Sequence, residues 1–160
     1  NVHLMVSNPL EIISEYADAG ADTIHIHIES DTDINKALEE IRANKIISGI
    51  SINPNTSIEA ILPLIDKKLV DEVLLMSVYP GLGGQEYISE VESKISILRN
   101  RFPAVNITMD GGINNHSIER SALKGANRFV AGSYLFSLKD IKSGITNLRN
   151  IAEINYNHTP

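Results

Sequence analysis

The chain has 160 residues, 42% hydrophobic and 21% charged, which suits one ordinary globular domain with a core of its own. A net charge of −6 argues against a nucleic-acid binder or a membrane-surface protein, since neither partner attracts an acidic body. The lack of cysteine excludes disulfides and thiolate ligands and fits a reducing compartment. No apolar run approaches the roughly 18 residues that a bilayer span needs, and no signal-peptide pattern opens the chain. A cytoplasmic enzyme or small-molecule binding protein is therefore expected.

Short β-rich runs alternate with helix-patterned stretches from the first residue onward. The predicted strands are Val2 to Val6, Thr23 to Ile28, Ile47 to Ile52, Glu72 to Ser77, Asn106 to Met109 and Arg128 to Ala131. Between them the apolar residues take helical spacing over Pro9 to Ala19, Thr32 to Ala43, Ser57 to Ile65, Val91 to Arg99, Ser117 to Lys124 and Asp140 to Ile154. Gly20 and Gly125 stand where the first and fifth helices should stop. Residues 1–154 read as one domain and 155–160 as a disordered tail. The chain opens on Asn1 and runs straight into an apolar strand, which reads as a cut at the N-terminus.

Such alternation predicts an α/β fold of parallel strands, either an open doubly wound sheet or most of a closed (β/α)8 barrel. The glycines favour the barrel. A doubly wound nucleotide fold places them in its first βα turn, whereas here they follow the fourth, fifth and sixth strands. The expectation is a TIM barrel represented by about six of its eight β/α units, with a phosphate site built by late loops.

Asp110-Gly111-Gly112 carries the sharpest chemical signal. A carboxylate at a strand end faces whatever lies above the sheet, and the glycine amides beside it can accept a phosphate, although Asp-Gly-Gly also makes an ordinary tight turn. Gly81, Leu82, Gly83 and Gly84 follow the fourth strand, where glycines let the backbone approach a ligand. Gly132 and Ser133 end the sixth strand, Ser133 having a simple cap or turn role as its alternative. Three glycine-bearing loops on one rim describe a phosphate cradle beside an acid. His3 and Met5 share one face of the first strand. His25 and His27 share one face of the second, with Glu29 beyond them, so metal ligation and substrate hydrogen bonding are both credible there. Met5 and Met76 fill a core on this reading, and Asn53 receives no role.

These motifs in this order resemble the ribulose-phosphate 3-epimerase family. They are His3-Leu4-Met5-Val6, Ala19-Gly20-Ala21-Asp22 leading into His27, Asn53-Pro54, Met76-Ser77-Val78-Tyr79-Pro80-Gly81-Leu82-Gly83-Gly84-Gln85, Met109-Asp110-Gly111-Gly112 and Val130-Ala131-Gly132-Ser133. Order and spacing hold from residue 1 to about residue 150. The resemblance implies a (β/α)8 barrel that interconverts D-ribulose 5-phosphate and D-xylulose 5-phosphate in the pentose phosphate pathway. It implies proton transfer at C3 by two aspartates on opposite faces, through an enediolate, with a divalent metal stabilising the oxyanion. Asp110 would then be a catalytic acid/base, a substrate contact and a metal ligand, and His3 a metal ligand and substrate contact. Gly81, Leu82, Gly83, Gly84, Gly111, Gly112, Gly132 and Ser133 would bind substrate, and Met5 and Met76 would line the site. His27 matches a family position but is not assigned as a ligand. Nitrogen and oxygen ligands admit Zn, Fe(II), Mn or Co. A homo-oligomer of the complete protein is expected.

The family's first two strands supply a serine, a second histidine and the other aspartate, in an Asp-x-Met-Asp-Gly-x-Phe-x-Pro-Asn stretch. None of these motifs occurs among the 160 residues. The chain is therefore expected to represent an N-terminally truncated barrel that gives no turnover alone. Tyr79 and Leu82 also depart from the family's usual Asn or Glu and Phe. Two other readings stand beside the epimerase: action on a six-carbon substrate such as allulose 6-phosphate, and a barrel that binds sugar phosphates without catalysis.

Overall fold

A computed structural model describes residues 1–156. It divides into two compact units, Asn1–Leu74 and the remainder from Leu75, with one strand straddling the boundary. In the first unit the strands β1 (Val2–Leu4), β2 (Thr23–His27), β3 (Ile47–Ile52) and the start of β4 (Glu72–Met76) are neighbours in that order. The helices α1 (Ile13–Asp18), α2 (Ile34–Ala43) and α3 (Leu62–Asp66) connect them, α1 and α3 each entered through a 3-10 turn, Pro9–Glu11 and Ile58–Ala60.

β1 runs parallel to β2 and β2 to β3, with His3 opposite His25, His25 opposite Gly49 and His27 opposite Ser51. Because side chains alternate along a strand, this register puts His3, His25, His27 and Ser51 on one face. It leaves Ile24, Ile26, Ile50 and Ile52 for the other, all of them fully buried. Leu38 and Ile41 of α2 are equally buried, and each such side chain contributes about 1.5–3 kcal/mol on leaving water. Asp33 starts α2 by accepting the Lys36 amide at 3.1 Å, satisfying one of the donors that a helix start leaves open. At the other end Arg42 grips both oxygens of Asp71, at 2.9 and 2.8 Å, and Asp71 in turn accepts the Ser48 amide. Helix α2 is thereby fastened to the strand entering the site.

The second unit holds the end of β4, β5 (Asn106–Asp110) and β6 (Arg128–Val130) as neighbours in that order. It also holds α4 (Glu92–Arg101), α5 (Asn115–Leu123), the four-residue α6 (Ser133–Phe136) and α7 (Ile141–Tyr156). β5 and β6 are parallel, with Asp110 opposite Val130. Ile95, Leu98, Ile107, Met109 and Ala122 form its fully buried interior. Arg99 of α4 donates to the carbonyls of Pro103, Val105 and Gly125, and a side chain on Gly125 would meet the Arg99 stem at 2.7 Å.

All six predicted strands form, each within two residues of its expected ends. β1 stops at Leu4 rather than Val6, and Met5 and Val6 are each close to half exposed. Helix α7 continues to Tyr156, so Asn155 and Tyr156 are helical where a tail was expected. Residues 157–160 of that tail lie outside the described residues. The short α6 was foreseen only as a turn.

Candidate active site

The histidines of the first unit form a directed chain. His3 Nε2 and His27 Nε2 lie 2.8 Å apart, with the rings stacked at 12° and centroids 4.9 Å apart. His27 Nδ1 lies 3.1 Å from Glu29 Oε2, and Glu29 Oε1 accepts from the Asn53 amide at 2.9 Å and from the Thr56 hydroxyl. Partial burial works against the charge on Glu29. The hydrogen bonds from His27, Thr56 and the Asn53 amide outweigh it and hold the carboxyl at about 2 against an ordinary 4.5. An ionised carboxylate only accepts, so His27 Nδ1 is the donor. In neutral His27 the Nε2 atom is then the acceptor, and His3 Nε2–H donates to it.

This depressed carboxyl carries an acid-pH signature. Its folded value lies below its unfolded one, so its stabilisation is complete above pH 4.5 and is lost as pH falls toward 2. With 28% of the side chain exposed, solvent screening trims the effect. The melting temperature of the protein should exceed that of Glu29→Gln most above pH 4.5, and the two curves should converge toward pH 2. Parallel curves across that range would show that Glu29 holds no such charge.

His25 and Glu72 make a second feature of this unit. His25 Nε2 lies 3.3 Å from Glu72 Oε1 and both side chains are wholly buried, although neither ring nitrogen has a hydrogen-bonding partner of good geometry. The imidazole spans from β2 across β3 because the position between them is Gly49, where any Cβ would overlap the His25 ring.

The second unit gathers the glycine loops. Asp110 ends β5 half-buried. The carbonyls of residues 110 to 112 are each held by a serine. Ser77 donates its amide to the Asp110 carbonyl at 2.8 Å and its hydroxyl to the Gly111 carbonyl at 2.6 Å, while Ser117 donates its hydroxyl to the Gly112 carbonyl at 2.9 Å. Gly111 has φ +115° and its missing Cβ makes room for Val78, while Gly112, with φ +62°, lies against the Tyr87 backbone. Burial pushes the Tyr87 phenol up to about 12, and its hydroxyl meets Ser121 Oγ at 2.9 Å. Gln85 closes the preceding loop by donating to the carbonyls of Tyr79 and Leu82, both at 2.7 Å. Within this loop Gly83 faces Ser133 Oγ, which a Cβ there would meet at 3.6 Å. The unit thus brings the Gly81–Gly84 loop to Ser133, and the Ser77–Tyr87 segment to Gly111 and Gly112. Leu82 is 80% exposed. Met76 is buried, whereas Met5 of the first unit is about half exposed.

Sequence reasoning gave no role to Ser77, Gln85, Thr56 or Ser117. Ser77 and Gln85 sit inside the quoted loop motif, and Glu29 stands two residues beyond His27, so these signals were present without a partner to interpret them. Among the described residues no group of three or more His, Cys, Asp or Glu is placed to hold a metal ion. Among the same residues no helix is long and apolar enough to cross a membrane.

Parallel β/α units with polar side chains and glycine bends at the strand ends define a member of the TIM-barrel class, represented by six of eight units. The fold likeness extends to a thiamine phosphate pyrophosphorylase from Pyrococcus furiosus, with a TM-score of 0.63 and 21% identity over 89% of this chain and 65% of that one. The family model described as the ribulose-phosphate 3 epimerase family matches residues 1–136. The cytoplasmic isoform of ribulose-phosphate 3-epimerase from Oryza sativa is 37% identical over 94% of this chain and 67% of its own length. The Schizosaccharomyces pombe ribulose-phosphate 3-epimerase is 35% identical over 92% and 64%. The chain belongs to the ribulose-phosphate 3-epimerase family, and it spans about two thirds of the length of these curated relatives.

Proposed function

We propose that the protein to which this chain belongs interconverts D-ribulose 5-phosphate and D-xylulose 5-phosphate. The observation that carries the reading is Asp110 at the end of β5, directly before a glycine bend whose carbonyls are tied down by Ser77 and Ser117. The carboxylate of Asp110 takes the C3 proton, the C3–H electron pair moves into the C2–C3 bond, and the C2 carbonyl becomes an enediolate oxygen. A second acid on the opposite face returns a proton to C3, inverting it. Glycine amides at 81, 83, 84, 111, 112 and 132, with Ser133, bind the sugar phosphate beside Leu82. His3 supplies a polar contact to the sugar oxygens, and Met5 and Met76 line the site.

A divalent cation, one of Zn, Fe(II), Mn or Co, would draw on His3 and Asp110. The described residues do not by themselves form a ligand set for it, so the steps above are derived from side chains alone. The cytoplasm and a homo-oligomeric assembly complete the proposal.

The test is an isomer assay on the full-length protein, fed ribulose 5-phosphate and, in parallel, allulose 6-phosphate. Rapid appearance of xylulose 5-phosphate is the expected result. Preference for the six-carbon substrate would move the assignment to a hexulose phosphate, and binding without turnover of either would leave a sugar-phosphate binder. The 160 residues alone are expected to give no turnover, because their motifs supply an acid for one face of the substrate only.

A further inference from the structure

We infer that Ser77 is a positioning residue that aims the amide of Gly112 at an anionic group of the ligand. The inference rests on the sugar-phosphate reading above and assigns a role to a wholly buried side chain. In a strand, successive carbonyls point to opposite sides. Here the carbonyls of Asp110 and Gly111 both converge on Ser77, the first on its amide at 2.8 Å and also 3.0 Å from its hydroxyl, the second on that hydroxyl at the shorter 2.6 Å. Alternation is broken at Gly111, whose φ of +115° is open to glycine and costly for other residues.

Each peptide is trans and planar, so an N–H points away from the carbonyl of its own peptide unit. The Gly111 N–H, opposite the Asp110 carbonyl, is directed at the β6 backbone where Asp110 pairs with Val130, whereas the Gly111 carbonyl, held by the Ser77 hydroxyl, turns the Gly112 N–H to the side opposite Ser77. A glycine amide turned outward with no side chain beside it can donate to an oxyanion. Ser77 is wholly buried, so its hydroxyl has no solvent alternative to the carbonyl it holds, and an apolar replacement leaves that carbonyl free to rotate with its peptide. Ser117 repeats the device one residue on, donating to the Gly112 carbonyl at 2.9 Å. The hydroxyl thus acts at one remove: it fixes a peptide plane, and the plane presents the donor.

The test compares Ser77→Thr with Ser77→Val in the full-length protein, two side chains of one shape that differ in the hydroxyl. Glycine amides are followed by NMR during titration with inorganic phosphate. In the wild type and in Ser77→Thr, the Gly112 resonance should shift with phosphate. In Ser77→Val it should move from its wild-type position before any addition, and phosphate should bind about tenfold more weakly, the worth of one directed hydrogen bond. Equal phosphate affinity in the two variants would overturn the role of Ser77. So would a wild-type titration in which Gly83 responds while Gly112 stays silent, an outcome that leaves the sugar-phosphate reading standing. This second readout decides the matter even where Ser77→Val fails to fold. Silence of every glycine would overturn the sugar-phosphate reading itself.

Discussion

Asp110→Asn in the full-length protein should fold normally and lose epimerisation by at least about a thousandfold, within the range that a positioned acid or base supplies. Asparagine keeps the shape and the volume of the side chain but cannot take the C3 proton. The backbone of residue 110 is held independently of its side chain, since its carbonyl accepts from Ser77. A melting temperature near that of the wild type, together with lost xylulose 5-phosphate formation, would separate chemistry from stability. Full activity in this variant would remove Asp110 from the reaction.

The largest effect on stability is expected at His25. Its ring and the Glu72 carboxyl are both fully buried, 3.3 Å apart, and the ring also fills the space over Gly49. His25→Ala takes away the imidazole facing the carboxyl and opens a void above the glycine. A loss of about 3–5 kcal/mol is expected, the usual cost of breaking one member of a buried pair, measured by urea unfolding. Replacing both partners together, as His25→Leu with Glu72→Met, should recover most of that loss, because the carboxyl is then removed together with the imidazole that faces it. If His25→Ala costs less than about 1 kcal/mol, well below that range, the pair makes little contribution to the fold.

The six strands were legible because Val, Ile and Thr cluster in short runs whose flanks break helical periodicity, as at Thr23–His27 and Ile47–Ile52. Ends were less legible. The start of α5 was read at Ser117, two residues late, because its N-cap Asn114 closes on a serine where a capping box usually carries Glu or Gln. Four-residue α6 is too short for any periodicity to register. At the site, alternation alone placed His25 and His27 on one face. The partnership of His25 with Glu72 was not legible, because it depends on a register across two strands and on the bare Gly49 between them. Ser77 and Ser117 escaped notice for a different reason: they act on backbone carbonyls, which carry no residue identity for a sequence pattern to reveal.

Ser117 closes the first turn of α5, where its hydroxyl accepts the Asn114 amide, and the same oxygen restrains the Gly112 carbonyl. Fraying of that turn and release of the bend are consequently one event, governed by a single local opening equilibrium. Any anion that seats on the bend therefore protects the helix start as well, and slow hydrogen exchange there becomes a remote gauge of occupancy.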